Sequence, residues 1–162
     1  MNTSMTQKEK YDHNNHEKNM EIEKMQKYLI FYEQARIEWN NHLIAAYKEK
    51  KSLIPYNFSK IVQICAEKTA YEKLLMTDEC YVAQETEKFV NLNAHIDNES
   101  TKYMSFCNKA MLEWKNYFTT RFMEKYIPIP NDYQELVIIC AEKTANEQLE
   151  QLNHMTEKTS QK

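Results

Sequence analysis

The chain has 162 residues, the length of one ordinary domain, and its 21 basic and 24 acidic residues leave a net charge of −3. This balance is too close to neutral to predict nucleic acid as a partner. Glycine is absent and proline occurs three times, whereas residues that favour helices, such as glutamate, lysine, leucine and alanine, are abundant. The composition therefore predicts an all-α protein.

The first 19 residues contain no apolar segment and no small-residue cleavage site, so we expect neither a secretory signal nor a membrane anchor. The longest apolar runs, 28–32 and 136–141, are far shorter than the roughly 20 residues that span a bilayer. The cysteines form no C-x-x-C pair, which in a reducing compartment is typical of small buried side chains. These features predict a cytoplasmic protein without a transmembrane segment.

After a polar tail, residues 1–19, which we expect to be disordered, the periodicity predicts a first helix from about Glu21 to Lys51. One face of this helix is apolar over about 120° of arc, so we expect that face to be buried. The residues of that face are Met25, Tyr28, Leu29, Tyr32, Ala35, Trp39, Leu43, Ala46 and Tyr47.

The segment SLIPYN ends the first helix, because the residue before Pro55 is pushed out of the α region. Asn57 is expected to cap a second helix, which begins with Phe58. This proline-marked turn thus sets a helix boundary without any glycine.

The boundary between the second and third helices is the least marked, since residues 76–101 contain neither glycine nor proline. The segment NLNAHIDNES at 91–100 is the expected break, because its polar side chains compete for backbone hydrogen bonds, and Asn98 or Ser100 would cap the next helix. A break there allows four helices to close as a bundle. The alternative is one rod of about 70 residues, roughly 105 Å long.

The two halves of the chain are copies of one another. ICAEKTA occurs at 64–70 and again at 139–145, and superposing 27–75 on 102–150 without a gap makes 21 of 49 positions identical. The prediction is therefore two tandem helix-turn-helix repeats of about 75 residues that form a four-helix bundle or elongated helical hairpins.

The predicted repeats span 20–92 and 93–155, and a second disordered tail is expected at 156–162. The second copy repeats the turn as IPIPND, where Asp132 and Glu135 fit a capping box. Its apolar face is expected to consist of Tyr103, Met104, Cys107, Ala110, Trp114, Phe118 and Phe122.

Identical apolar residues at matched positions of the two copies predict a shared repeat core. These are Trp39 with Trp114, Phe31 with Phe106, and Cys65 with Cys140. The first copy also carries a second apolar line at heptad spacing, which the second copy lacks; its residues are Ile30, Ile37 and Ile44. This difference predicts that the isoleucine line contacts a partner chain or an apolar surface. The alternative is that the third and fourth helices pack asymmetrically around the first.

No motif in the sequence predicts catalysis, a metal or a cofactor. The five histidines show neither the H-x-x-x-H nor the E-x-x-H spacing of metal ligands on adjacent turns. In the repeated AEKTA segment, Glu67 and Lys68 are expected to face solvent while Thr69 faces the core. Cys65 and Cys140 lie in apolar surroundings, which disfavour a nucleophilic thiolate. We therefore expect a protein that is not an enzyme.

The segments YEQARIEW and CNKAMLEW, around the two tryptophans, and the AEKTA helices belong to a small, glycine-poor chain of aromatic-bearing amphipathic helices. In this pattern, over roughly residues 21–155, the chain resembles phasins, the family that coats intracellular polyhydroxyalkanoate granules. The resemblance implies a non-catalytic role in which apolar stripes lie on a polymer or lipid surface and the charged faces stay wet. It also implies association with granules.

The alternative is a protein-interaction module, a bundle that holds a partner helix or its own copy along the isoleucine line or in a groove. A homo-oligomer is compatible with either hypothesis. The two hypotheses differ in one property, because a surface-coating protein leaves large apolar area exposed, whereas a module presents a defined groove.

Overall fold

The computed structural model describes residues 4–93 and 98–160, and within that part of the chain it contains five α-helices and no strand. The all-α prediction is confirmed. The helices are α1 (Gln7–Glu49), α2 (Phe58–Leu75), α3 (Glu79–Asn93), α4 (Glu99–Glu124) and α5 (Tyr133–Ser160).

Helix α1 begins at Gln7, well before the predicted start at Glu21. A capping box starts it: Thr6 Oγ1 accepts a hydrogen bond from the Glu9 amide, and the Thr6 amide donates to the Glu9 carboxylate at 2.7 Å. The helix therefore continues through most of the segment predicted as a polar tail. Its buried residues all lie in its C-terminal half, between residues 35 and 47.

Both proline-marked turns follow a helix that ends in a Schellman motif. Lys51 and Tyr126, at equivalent repeat positions, adopt the left-handed region with φ of 56° and 53°. The next amide in each case donates back into the last helical turn, from Ser52 to Tyr47 O and from Ile127 to Phe122 O. Left-handed residues are usually glycine, so this glycine-free chain builds the same turn twice with bulkier side chains.

Helix α3 was not predicted. The chain leaves α2 at Leu75 and re-enters a helix at Glu79, because Asp78 Oδ1 accepts hydrogen bonds from the amides of Cys80 and Tyr81. The continuous rod is therefore wrong. The signal was the TDE sequence at 77–79, an acidic N-cap that needs no glycine or proline.

In the predicted break at 91–100, the structure describes the start of the next helix. There the Asn98 side chain accepts a hydrogen bond from the Ser100 amide at 2.9 Å and caps α4. Residues 94–97 lie outside the described part of the chain. The Asn98 cap is confirmed, and it follows from the preference of asparagine for the N-cap position.

The core lies between the C-terminal half of α1, α2, α4 and the first part of α5, with α1 packed on α2 and α4 packed on α5. Near Phe106, α3 adds a smaller cluster in which Phe89 stacks on the Phe106 ring at 5.5 Å. Three residues predicted to be buried are exposed: Met25, Leu29 and Met104. Met25 and Leu29 lie on α1 before its first buried residue, Ala35.

Candidate functional site

The ICAEKTA segments lie within α2 and α5, where they make equivalent contacts with the two tryptophans. The Trp39 indole Nε1 donates a hydrogen bond to Thr69 Oγ1 at 2.8 Å, and the Trp114 Nε1 donates to Thr144 Oγ1 at 2.9 Å. The two indole rings meet edge to face with centroids 5.3 Å apart. Because both indoles are buried, each threonine supplies the acceptor that a buried N–H group requires.

The lysine of each ICAEKTA segment lies over the tryptophan of the other copy. Lys68 Nζ is 4.7 Å from the Trp114 ring centroid, and Lys143 Nζ is 4.8 Å from the Trp39 centroid. Both lysine side chains are only 11% exposed. The expectation that Lys68 faces solvent was therefore wrong, since its ammonium group is held on an aromatic face, where cations are stabilised.

Glu67 also makes contacts between the copies. Its carboxylate pairs with Arg121 at 2.8 Å and with Lys125 at 3.0 Å, and its side chain is half-buried. At the equivalent place in the other copy, Lys50 approaches the Glu142 carboxylate at 4.0 Å. The expectation of a solvated Glu67 was wrong, because the end of α4 brings two cations to it.

The charged groups around Lys143 hold one another in their ionised forms. Burial alone would lower the pKa of Lys143, but hydrogen bonds from its ammonium group to Glu147 and Glu38 outweigh burial and raise that pKa. The hydrogen bond from Lys143 also lowers the pKa of Glu38. A lysine held protonated in this way acts as a structural cation and not as a nucleophile.

The remaining repeat-core residues lie near this centre. The sulfur atoms of Cys65 and Cys140 are 4.0 Å apart, and both side chains are fully buried. Burial raises the pKa of the Cys140 thiol, which disfavours the thiolate that a nucleophile needs. Phe106 is buried and Phe31 is half-buried.

The two turns lie together at one end of the molecule. Ser52 Oγ donates a hydrogen bond to the Glu135 carboxylate at 2.7 Å, and Asn57 Nδ2 donates to the Pro128 carbonyl at 3.4 Å. Asn57 occupies the N-cap position of α2 but makes no side-chain cap hydrogen bond. Asn57 and Glu135, two of the side chains predicted to take part in helix caps, thus join the two turns to each other.

The isoleucine line is a surface feature in the described chain. The exposed fractions of Ile30, Ile37 and Ile44 are 58%, 54% and 39%. Within residues 4–93 and 98–160, the other helices leave all three isoleucines exposed, contrary to the alternative of asymmetric packing. We call these three residues the isoleucine face.

A second exposed apolar surface, which sequence reasoning missed, lies at the turns. Leu53 is 90% exposed and Tyr126 is 95% exposed, although large apolar residues are uncommon in turns, which favour polar and small residues. We call this surface the turn end; it consists of Leu53, Ile54, Tyr56, Tyr126 and Ile129. The apolar letters of SLIPYN and YIPIPN were the available signal.

Among the described residues, no group of three His, Cys, Asp or Glu side chains is arranged to hold a metal ion. In the same part of the chain, no helix is both long and apolar enough to cross a membrane. No protein-family model, curated protein or solved structure matches this chain.

Proposed function

We propose that this chain is a non-catalytic helical protein that binds an apolar surface of lipid or polymer through the isoleucine face and the turn end. The observation that carries the proposal is the exposure of the isoleucine face, three large apolar residues in one line on the helix whose other face is buried between Ala35 and Tyr47. Soluble proteins rarely expose large contiguous apolar patches without a binding role. The phasin resemblance fits this role, and with it a cytoplasmic, granule-associated location.

The proposal includes an architecture in which two tandem helical hairpins pack against each other. The supporting contacts come in equivalent pairs, such as Lys68 on Trp114 with Lys143 on Trp39. In this arrangement the aromatic stripes around the two tryptophans are buried in the core. Surface binding then falls to the apolar residues left outside, and not to the stripes around the tryptophans.

The turn end supports the same function for a separate reason. Its tyrosines have an apolar ring and a polar hydroxyl, which suits the boundary between water and an apolar phase. Lys51 lies beside it and is exposed, so its ammonium group would face water or anionic headgroups. Both surfaces lie on or next to the C-terminal half of α1.

The test is co-sedimentation of the purified protein with polyhydroxybutyrate particles and flotation with phosphatidylcholine vesicles. Ile37→Ser and the double variant L53S/Y126S should each reduce the bound fraction severalfold. The matched control is Leu112→Ser, because Leu112 is the repeat counterpart of Ile37 and is also exposed. Equal binding by all variants, or no binding by the unaltered protein, would contradict the proposal.

A second candidate is an interaction module that holds a partner helix or a second copy of the chain. It is favoured by the spacing of the isoleucine face, because residues seven apart on one helix meet a neighbouring helix along a common seam. Light scattering separates the two candidates. A defined dimer that Ile37→Glu converts to monomer would support the module, and a monomer that binds particles would support the surface role.

A further inference from the structure

The two buried cysteines of the repeat core occupy equivalent positions on α2 and α5. Their sulfur atoms are 4.0 Å apart, and neither side chain has any exposed surface. The residues that follow them, Ala66 and Ala141, are also buried. The two thiols therefore face each other across the boundary between the two copies.

We propose that Cys65 and Cys140 form a reversible disulfide that joins the two halves of the chain covalently. A disulfide requires the sulfur atoms to approach from 4.0 Å to about 2.05 Å, through rotation about the Cα–Cβ bonds together with a shift of the two helices. The other cysteines do not offer this geometry: Cys80 is exposed on α3, and Cys107 is half-buried on α4.

The reaction needs an oxidant, for which a small disulfide such as oxidised glutathione suffices. A thiolate of one cysteine attacks a glutathione sulfur, forms a mixed disulfide and releases one glutathione thiolate. The second cysteine then attacks the protein sulfur of that mixed disulfide and releases the second glutathione. Two cysteine thiols are thereby oxidised by two electrons, and their two protons pass to the two glutathione thiolates, so that one oxidised glutathione becomes two thiols.

Burial controls when this reaction can occur. A fully buried thiol is shielded from glutathione, and burial also raises the pKa of the Cys140 thiol, whereas the attacking species is the thiolate. Oxidation is therefore expected when α2 and α5 separate, either during folding or when the two halves of the chain move apart. The disulfide is then enclosed when the helices pack together again. The same burial would shield the finished disulfide from reductants.

The disulfide would act as a covalent lock that holds the two halves of the chain together. It closes a loop between positions 65 and 140 that includes the end of α2, all of α3 and α4, and the start of α5. Separation of the two halves, which exposure of the aromatic stripes would require, is then blocked. The isoleucine face and the turn end remain outside the locked contact.

The test uses the full chain with the variant C80S/C107S, which leaves only the proposed pair. The protein is refolded from urea in a glutathione buffer rich in the oxidised form, alkylated with N-ethylmaleimide under denaturing conditions, and analysed by intact mass. We expect most of the monomer to lack two hydrogen masses and to take up no alkylating reagent. The single-thiol controls Cys65→Ser and Cys140→Ser, made in that variant, should instead carry one alkyl or glutathione group.

Refolding gives the oxidant access to both thiols, so slow penetration of the folded core cannot mask the result. A refolded helical monomer that keeps both thiols free would overturn the proposal. Peptide mapping of the unaltered protein, treated in the same way, covers the case in which C80S/C107S fails to fold. Pairing of Cys80 or Cys107 in place of Cys65 with Cys140 would equally overturn it.

A second measurement tests the lock itself. The thermal midpoint of the oxidised protein should exceed that of the reduced protein by several degrees, and dithiothreitol added to the unfolded chain should abolish the difference. Circular dichroism checks that helicity is unchanged. A lower midpoint for the oxidised form would mean that the bond distorts the helix crossing and would contradict a lock in the native fold.

Discussion

Each tryptophan at the centre of the molecule contacts both copies of the repeat at once. Its indole N–H is satisfied by a threonine of its own copy, and its ring face carries the lysine of the other copy. A buried N–H group without an acceptor costs roughly 1–3 kcal/mol. Conservation of Trp, Lys and Thr between the two copies therefore follows from one shared set of contacts.

We expect Trp39→Ala and Trp114→Ala to lower the free energy of unfolding by about 3–5 kcal/mol each, because each removes a large buried side chain. Urea denaturation followed by circular dichroism measures the effect. Tyr56→Ala at the exposed turn end is the control and should change stability by less than about 0.5 kcal/mol. Unchanged urea midpoints for both tryptophan variants would show that the indoles are not core residues.

His42 gives the centre a dependence on pH. Its imidazole packs edge-on against Trp39, and partial burial, followed by the nearby Lys143 ammonium group, lowers its pKa below the ordinary 6.5. The carboxylates of Glu147, Glu38 and Glu142 oppose this shift only in part. The folded state thus holds His42 neutral at a pH where the unfolded chain is already protonated.

The free energy of unfolding should therefore decrease as the pH falls through 6.5, the ordinary pKa of histidine, and should stop decreasing below the lowered pKa that His42 has in the folded state. One proton limits the slope to about 1.4 kcal/mol per pH unit, and the partial exposure of His42 makes the real slope smaller. His42→Tyr, which installs the residue of the second copy, should remove this dependence. If urea midpoints of the unaltered protein and the variant vary identically with pH in this range, the assignment to His42 fails.

At the scale of the elements, the two turns show how a chain without glycine ends its helices. Lys51 and Tyr126 adopt a left-handed conformation that costs an L-residue roughly 1–2 kcal/mol. The back-bonded amides of each Schellman motif and the hydrogen bonds between the turns offset that cost. The stability of each turn thus depends on contacts with the other turn, which cannot be predicted from the sequence of one turn alone.

Replacing Lys51 with glycine should raise the free energy of unfolding by up to about 1 kcal/mol, because relief of the left-handed strain exceeds the added entropy of the unfolded chain. The control is Lys50→Gly, since Lys50 is right-handed with φ of −79°. That variant should lower stability by roughly 0.5–1 kcal/mol. A destabilised Lys51→Gly variant, measured by urea titration, would contradict the assigned conformation.

The helix boundaries were predictable where a side chain or a proline marks them locally. Asn98 caps α4 as expected, and both proline-marked turns end a helix. The start of α1 at Gln7 and the break at 76–78 were missed, although Thr6 and Asp78 are ordinary N-cap residues. Both were polar signals in segments without glycine or proline, where local preferences are weak.

At the scale of the whole molecule, α1 is much longer than the helix that packs on it. Its 43 residues extend over about 65 Å, whereas the 18 residues of α2 cover about 27 Å. The accessible surface of 12033 Å² exceeds the roughly 8,500 Å² of a compact monomer of this size. The N-terminal half of α1 therefore projects from the core.

Small-angle scattering should give a radius of gyration well above the roughly 15 Å expected for a compact chain of this length. Light scattering on the same sample gives the mass, so that elongation of a monomer is separated from formation of a dimer. A monomer with a radius near 15 Å would mean that the N-terminal half of α1 folds back on the core. A dimer would instead favour the interaction module.

Composition and periodicity were sufficient for the all-α class and for the apolar face of α1 between Ala35 and Tyr47, because these properties depend on the intrinsic preferences of nearby residues. The burial of Lys68 and Glu67, and the exposure of Met25 and Leu29, were decided by tertiary structure. Helical periodicity gives the side of a helix on which a residue lies. Whether that side is covered depends on where the neighbouring helices begin and end, and on which opposite charges and aromatic rings they bring to it.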